Sequence, residues 1–294
     1  MSYLERIAEA NRRDLSQARP FILDNRELGW VGPNFAQLLS RWPEVFVVEQ
    51  TLVRLRSEIE RGGPDERSRA VSVVLNILRE EGFITGWRDE AYPVVWSWGD
   101  PPLMVMERAA IPSFGLCGFG VHMNGYCRSA EGLCLWVAKR AATKPTYPGE
   151  LDQLVAGGQP VGLGLQANLA KECEEEAGIP PALARRASAA GTVTYAASTP
   201  RGFQHDVIFT FDLELPTDFV PVNQDGEVDE FFLWPVEQVA EVVRTTDAFK
   251  FNCALVVIDF LVRHGVIPPE DPDYAPIVAG LRGREHFLAS VGKL

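Results

Sequence analysis

A chain of 294 residues that is 46% hydrophobic and 23% charged can bury a large core, which excludes a mainly disordered protein. A formal net charge of −12 argues against non-specific binding to nucleic acid or to an anionic membrane. The five cysteines form no C-x-x-C pair and lie in apolar stretches, which favours buried free thiols in a reducing compartment.

The N-terminal segment, residues 1–18, has the pattern of an amphipathic helix. It lacks the long apolar run of a secretory signal, and no segment approaches the roughly 20 apolar residues that a membrane span needs. We therefore predict a cytoplasmic protein.

The next hundred residues predict a small α/β domain. FILDNRELGWVGP (21–33) predicts two short strands around a turn, and residues 35–50 predict a short helix followed by a strand. Residues 51–82 predict helices on both sides of a Gly-Gly-Pro break, and residues 86–96 predict a strand. The apolar stretch that follows ends at Pro112, where we place the boundary between domains 1–112 and 113–294.

The second domain predicts a mixed sheet with one central helix and flanking helices. Its predicted strands are 119–127, 133–140, 191–197, 205–215 and 230–236, and its later helices are 236–244 and 251–265. A Pro- and Gly-rich stretch lies between the second strand and the central helix. This order indicates an α/β sandwich within the α/β (α+β) class, because a doubly wound fold would alternate strand and helix regularly.

The central helix, within AKECEEEAGI (170–179), carries a cluster of carboxylates near its C-terminal end. Glu172, Glu175 and Glu176 are three and four positions apart and share one face, whereas Leu169, Cys173 and Ala177 share another. Two such charges about 6 Å apart repel by about 3 kcal/mol at an effective dielectric near 20. A solvated acidic face is one interpretation; a site for Mg²⁺ or Mn²⁺ is the other, because these ions prefer hard oxygen ligands.

The surrounding sequence resembles the Nudix box, G-x5-E-x7-R-E-U-x-E-E-x-G-U, in which U is apolar. GGQPVGLGLQANLAKECEEEAGI (157–179) matches seven of the nine defined positions without a gap, with Leu163 in place of the first Glu and Lys171 in place of Arg. The resemblance implies an α/β/α sandwich that hydrolyses a diphosphate linkage with a divalent metal. Lys171 retains the positive charge but not the bidentate geometry of arginine, so the two departures put the level of activity in question.

Further segments of the chain are similar to one group of Nudix proteins, those related to the domain fused to thiamine pyrophosphokinase in fungi. They include FILDNRELGWVGP, GWRDEAYPV, FGVHMNGYC, DGEVDEFFLWPVEQV and FKFNCALVVIDFLVRHGVI. The similarity covers nearly the whole chain and implies thiamine diphosphate, or its oxidised and damaged analogues, as substrates that are cleaved to monophosphates.

The resemblance assigns the metal and the catalysis to Glu172, Glu175 and Glu176. The general base would be Glu172 or an acid of the loop that holds Glu227, Asp229 and Glu230, of which Glu227 is favoured. Substrate contacts are predicted for Lys139, Arg140, Lys144, His122, Gly157 and Gly158. Trp87, Arg88 and Tyr195 are candidates for ring or phosphate contacts, although core packing is the first expectation for them.

Two alternatives remain open on sequence grounds. One is a catalytically weak Nudix-fold ligand-binding module, supported by Leu163, and the other is an enzyme like isopentenyl diphosphate isomerase, which would need a cysteine in its active site. The expected partner is a small diphosphate, with neither nucleic acid nor membrane, and a homodimer is among the options for the assembly.

Overall fold

A computed structural model describes residues 2–130 and 132–283 of the chain. Its first half contains, in order, α1 (Tyr3–Ala10), β1 (Arg19–Leu23), β2 (Arg26–Val31), α2 (Pro33–Leu39), β3 (Phe46–Val48), β4 (Val53–Leu55), α3 (Ser57–Arg61), α4 (Gly63–Glu80), β5 (Ala91–Val94), β6 (Met104–Glu107) and a 3₁₀ helix (Arg108–Phe114).

Helix α1 is shorter than the predicted helix over residues 1–18. A capping box starts it, in which Ser2 Oγ accepts from Glu5 N (3.2 Å) and Ser2 N donates to Glu5 Oε2 (2.6 Å). It ends at Asn11, whose side chain donates to the Ile7 carbonyl oxygen (2.9 Å). Ile7 and Ala10 pack into the core of the second half of the chain, so this helix does not belong to the N-terminal core.

The N-terminal core lies on a four-stranded sheet in the order β2-β1-β4-β3, in which β1 and β4 are parallel. The helical prediction for residues 51–82 was wrong at its start, because the alternating burial of Val53, Arg54 and Leu55 places them in β4. The break at Gly62 separates α3 from α4 as predicted. The hairpin β5–β6 pairs Ala91 with Glu107, and the 3₁₀ helix then leads into the second domain.

The second half contains β7 (Cys117–Ser129), β8 (Gly132–Arg140), β9 (Leu151–Gln153), β10 (Val155–Gly158), α5 (Leu165–Ala177), α6 (Pro181–Ala184), β11 (Ser188–Thr199), β12 (Gly202–Glu214), β13 (Val228–Pro235), α7 (Val236–Thr245), α8 (Phe251–Arg263) and α9 (Tyr274–Gly280). The five predicted strands and the two predicted later helices are all present. Strands β9 and β10 were missed, because β9 (LDQ) has three residues of which one is apolar and β10 (VAGG) ends in two glycines. The last residues of the predicted C-terminal tail lie outside the described part of the chain.

The second half forms a sandwich around one mixed sheet. The sheet has the strand order β11-β12-β7-β8-β13, with β10 added to β7 and β9 added to β8, and β12 runs parallel to β7. Helix α5 packs on one face, where Leu169, Cys173 and Ala177 join the cluster around Met123 and Val155. Helices α1, α7 and α8 cover the other face. The predicted class, an α/β/α sandwich with a mixed sheet preceded by a small α/β domain, is confirmed.

Candidate active site

Helix α5 and the loop before it form the structural frame of the site. Leu169, Cys173 and Ala177 are fully buried against the sheet, as their four-residue spacing predicted. The helix ends at Gly178, which takes φ of 63° and whose N–H bonds to the Glu174 carbonyl oxygen (3.1 Å), while Ile179 N bonds to the Cys173 carbonyl oxygen (2.9 Å). This ending turns the chain away just after the glutamates and leaves their side chains beside strand β10.

The three box glutamates have different surroundings. Glu176 is 7% exposed, and its Oε2 accepts a hydrogen bond from Ala156 N (2.7 Å). The side chain of Glu172 is 14% exposed and lies so close to Gly157 that a Cβ there would overlap its carboxyl group. Glu175 is more exposed, and Glu174 points into solvent, as predicted for the member of the run that is outside the shared face.

Lys171 supplies the cluster with one counter-charge. Its ammonium lies 2.6 Å from Glu175 Oε2 and 3.3 Å from Glu172 Oε1. Burial raises the pKa of Glu172, and Lys171 offsets this only in part. Burial and then the charge of Glu172 raise the pKa of Glu176 well above its ordinary value. Three carboxylates with one half-exposed ammonium leave an excess of negative charge at this helix end.

This donor set fits a hard divalent cation. Its side-chain ligands are all carboxylate oxygens, and Gly157 provides the space that lets Glu172 approach the β10 backbone. Glu172, Glu175 and Glu176 would hold Mg²⁺ or Mn²⁺ there. Glu175 is the member that must release its present partner, Lys171, to do so.

A second group of metal-type side chains lies on the opposite face of the sheet. Within the described ranges, the one set of three such side chains whose ligand atoms all fall within 4.8 Å of one another is His122, Asp152 and Cys253. Arg140 Nη1 donates to Asp152 Oδ2 (2.8 Å), and Lys250 Nζ lies 4.0 Å from the same oxygen. These cations already balance the charge of Asp152, so we assign the group a structural role.

The hydrogen bonds of this second cluster are extensive. The Cys253 thiol donates to Asp152 Oδ1 (2.7 Å), and His122 Nδ1 lies 2.6 Å from Gln153 Oε1. Burial would raise the pKa of Asp152, but Lys250, His122 and Arg140 outweigh it and hold the pKa at about 2. Burial lowers the pKa of His122 to about 4, so its imidazole is neutral at pH 7.

A cavity of about 130 Å³ is lined by both halves of the chain, and Gly157, against which the carboxyl group of Glu172 lies, forms part of its wall. The three box glutamates themselves are not among the residues that line it. Among the predicted substrate contacts, His122, Gly157 and Gly158 line it. Lys139, Arg140 and Lys144 do not line it, and their substrate contacts stay predictions. The cationic side chains that do line it are Arg88, Arg108, Arg201 and Lys250. Of these four, only Arg88 was a candidate from the sequence.

Each of the three basic residues predicted to meet the diphosphate has a different environment. Arg140 donates through Nε, Nη1 and Nη2 to the Tyr147 carbonyl, Asp152 and the Thr146 carbonyl, so its guanidinium is fully engaged within the protein. Lys144 bonds to Glu227. Lys139 is half-buried on β8, opposite Glu230. A strand-end charge can hold a neighbouring loop as readily as a ligand, and sequence does not distinguish these two uses.

The favoured loop acid, Glu227, is held by cations. Its carboxylate bonds to Lys144 and lies 3.9 Å from Arg88 Nη1. Burial would raise the pKa of Glu227, but the Lys144 hydrogen bond and charge lower it overall. The neighbouring Asp229 accepts from Ala142 N (3.1 Å) and thereby fixes the adjacent loop.

Asp206 forms part of the cavity wall and was missed by sequence analysis. Among the described residues, the Tyr195 hydroxyl and the Gln204 side-chain amide donate to its carboxylate, and both donors are neutral. In the sequence, the one feature that pointed to Asp206 as a site residue is its charge within the apolar strand HDVIFTF (205–211). An enzyme like isopentenyl diphosphate isomerase would need a cysteine in its active site. The five cysteines are all described, and none of them lines this cavity.

Comparisons with known proteins match both halves of the chain. Residues 121–253 match the NUDIX domain model, and residues 2–117 match a domain of unknown function, DUF4743. The chain is 46% identical over 282 residues to Nudix hydrolase 24, chloroplastic, of Arabidopsis thaliana. The matched region covers 95% of this chain and 77% of that protein. It is 45% identical over 294 residues to Nudix hydrolase 20, chloroplastic, of the same plant, covering 96% of this chain and 78% of the other.

Two further relatives are more distant. The uncharacterized protein YJR142W of Saccharomyces cerevisiae is 34% identical over 262 residues, covering 83% of this chain and 75% of its own. A crystal structure of the MutT protein from Methanosarcina mazei Go1 aligns with a TM-score of 0.40 at 16% identity, covering 50% of this chain and 95% of the other. Within the described residues, no helix combines the length and the apolar character that a membrane crossing requires.

The family matches, the two relatives at 46% and 45% identity and the box glutamates at a helix end agree. The chain belongs to the Nudix hydrolases, a family that generally uses divalent metal ions, and it is a hydrolase of diphosphate linkages.

Proposed function

We propose that the chain hydrolyses thiamine diphosphate, or an oxidised or damaged analogue, to the monophosphate with Mg²⁺ or Mn²⁺ bound by Glu172, Glu175 and Glu176. The observation that carries the proposal is the cavity beside these glutamates. Its wall carries four cationic side chains, of which Lys250 also lies 4.0 Å from Asp152, and the carboxylate of Asp206, whose hydrogen-bond donors are neutral. The resemblance of nearly the whole chain to the thiamine pyrophosphokinase-related group supports the same substrate class.

Asp206 provides the selectivity argument. Thiamine carries a cationic thiazolium ring and an aminopyrimidine whose amino group donates hydrogen bonds. A carboxylate that is bonded by neutral donors can pair with such a head group, and a charge-assisted hydrogen bond contributes about 1.5–3 kcal/mol. A nucleoside diphosphate derivative with a neutral base could donate a hydrogen bond to this carboxylate but would lack the attraction between it and the thiazolium charge.

The residues of the chain can perform the hydrolysis as follows. When bound, the divalent ion supplies charge stabilisation to the phosphoryl oxygens and lowers the pKa of water. Glu172 lies against Gly157, a residue of the cavity wall, and accepts the proton of the attacking water. The new bond joins the water oxygen to phosphorus, and the bond from phosphorus to the bridging oxygen breaks. We favour Glu172 over Glu227 as base, because Lys144 already occupies the Glu227 carboxylate.

A panel of thiamine diphosphate, its oxidised analogues, ADP-ribose, dinucleotides and coenzyme A, each with Mg²⁺ and with Mn²⁺, tests the substrate. We expect the thiamine compounds to have the highest kcat/KM. We also expect Asp206→Asn to reduce that preference by about tenfold or more, because the carboxylate partner is lost. Equal or faster hydrolysis of ADP-ribose by the wild type would reject the thiamine proposal. The thiamine-related subgroup, the cytoplasmic location and a homodimeric assembly stay predictions.

A further inference from the structure

We propose that the N-terminal domain completes the active site through Arg108, which binds non-bridging oxygens of the substrate diphosphate. This inference deepens the proposed function and rests on it for the diphosphate substrate. It also gives a role to the region that matches a domain of unknown function, in which Arg108 lies.

Arg108 lies against Gly158 of strand β10, at the start of the Nudix box. A Cβ at Gly158 would lie 2.9 Å from Arg108 Cζ and would overlap the Tyr92 hydroxyl. A Cβ at the preceding residue, Gly157, would overlap the carboxyl group of Glu172. Arg108 of the N-terminal half therefore lies beside Gly158, and Glu172 of the box lies beside the adjacent Gly157.

The chain holds Arg108 in a defined position. The residue follows β6 and begins the 3₁₀ helix that leads into the second domain. Its Nη1 donates to Glu90 Oε2 (2.8 Å), and its guanidinium lies over the Tyr92 ring at 5.5 Å. These contacts orient the side chain before any ligand arrives, which reduces the entropy lost on binding.

Arg108 also remains available to a ligand. Its side chain is 43% exposed although it lines the cavity, and Glu90 is the one side-chain acceptor of its hydrogen bonds among the described residues. Arg140 provides the contrast, because all three of its nitrogen positions donate to the protein. Arginine offers five N–H donors in a planar fork that matches phosphate geometry, so one ion pair leaves donors for a diphosphate.

The local charge agrees with an anionic ligand. The chain has a formal net charge of −12, yet Arg88, Arg108, Arg201 and Lys250 meet in one cavity. Arg88 and Arg108 come from the first half and Arg201 and Lys250 from the second, so both halves contribute cations to the same space. This arrangement concentrates positive charge where the diphosphate must lie to reach the glutamates.

Binding of methylenediphosphonate, which has a non-hydrolysable P–C–P unit, tests the inference directly by isothermal titration calorimetry. The variants are Arg108→Ala, Arg108→Lys and the control Arg41→Ala, each titrated with EDTA and with Mg²⁺. Arg41 matches Arg108 closely, with a side chain 44% exposed, an ion pair to Glu81 at 2.6 Å and a guanidinium 4.6 Å above the Trp42 ring. Arg41 does not line the cavity.

We expect Arg108→Ala to weaken binding by about 10- to 100-fold in both conditions, because a charge-assisted contact is lost. Arg108→Lys should recover part of the affinity, because it restores the charge without the fork. Arg41→Ala should bind as the wild type does. In substrate hydrolysis, Arg108→Ala should raise KM, with thermal unfolding close to that of Arg41→Ala.

The inference is overturned if Arg108→Ala binds the diphosphonate as tightly as the wild type, or if Arg41→Ala loses as much affinity. It is also overturned if the wild type does not bind the probe. Failure of the proposed function has a different signature. In that case the wild type would bind the probe in an Arg108-dependent way but would not prefer thiamine compounds in the hydrolysis panel.

Discussion

Two clusters of metal-type side chains, one around Asp152 and the other formed by the box glutamates, lie on opposite faces of the same sheet, and their charge balance differs. Asp152 has Arg140 at 2.8 Å and Lys250 at 4.0 Å, with the Cys253 thiol as a further donor. In the box cluster, Glu172 and Glu175 pair with the half-exposed ammonium of Lys171, and Glu176 has no ion pair among the described residues. The first cluster is complete within the protein, whereas the second has ligand oxygens without enough counter-charge.

Unbalanced charge is therefore a better guide to a metal site than the proximity of metal-type side chains alone. His122, Asp152 and Cys253 lie closer together than the box glutamates, yet a cation placed among them would meet Arg140 and Lys250. An excess of buried negative charge is costly unless a cation is bound. The comparison therefore predicts opposite effects when a charge is removed from each cluster.

Removing the charge of Asp152 should have the largest effect on stability. Asp152→Asn leaves Arg140 buried without its anion, and breaking a buried pair in this way costs about 3–5 kcal/mol. Urea unfolding of the metal-free protein would measure the loss. Asp218→Asn, at an exposed loop position, is the control and should leave the free energy of unfolding within about 0.5 kcal/mol. A loss below about 1 kcal/mol for Asp152→Asn would break the comparison.

Acid should weaken the fold through His122 on the same side of the sheet. The folded-state pKa of His122 is about 4, against 6.5 for the unfolded chain. Between these values the unfolded chain binds the extra proton, so stability falls as pH decreases from about 6.5 to about 4. This shift corresponds to about 3 kcal/mol. His122→Asn should flatten the pH dependence of unfolding by that amount, and an unchanged slope would show that His122 is not held neutral.

Removing a charge from the box cluster should have the opposite sign. Glu176 is buried next to Glu172, and its raised pKa means that the wild type loses stability as pH rises through that pKa. Without metal at pH 8, Glu176→Gln should raise the free energy of unfolding by about 1 kcal/mol, since the glutamine can still accept from Ala156 N. Glu174→Gln, an exposed neighbour, should change it little. Destabilisation by Glu176→Gln would contradict the assignment of excess charge.

The smallest effect is expected at Lys171. Its side chain is half-exposed, and such ion pairs contribute about 0.2–1 kcal/mol. Lys171→Met should therefore lower the free energy of unfolding of the metal-free protein by less than about 1 kcal/mol, measured in low salt. A loss of several kcal/mol would mean that Lys171, and not a cation, is the permanent counter-charge of the cluster.

The spacing of residues along the sequence predicted those parts of the site that lie within a single helix. The spacing along α5 gave both its buried face and its shared glutamate face, and Gly178 marked the helix end. The parts that need distant partners were not predictable. Arg140, a basic residue at the end of a strand, was predicted to bind the diphosphate. Its anionic partner, Asp152, lies on β9, a strand that was not predicted. Arg108 and Asp206 meet in the cavity only because the two halves of the chain pack together.

Mn²⁺ binding followed by electron paramagnetic resonance tests the central claim, that the unbalanced glutamates are the metal ligands. The variants are Glu175→Gln and Glu176→Gln in the box, with Cys253→Ser and His122→Asn in the balanced cluster. We expect both box variants to lose the bound-Mn²⁺ signal and their hydrolytic activity, while both variants of the balanced cluster keep the wild-type affinity. Retention of Mn²⁺ by the box variants, with loss in Cys253→Ser or His122→Asn, would contradict the account.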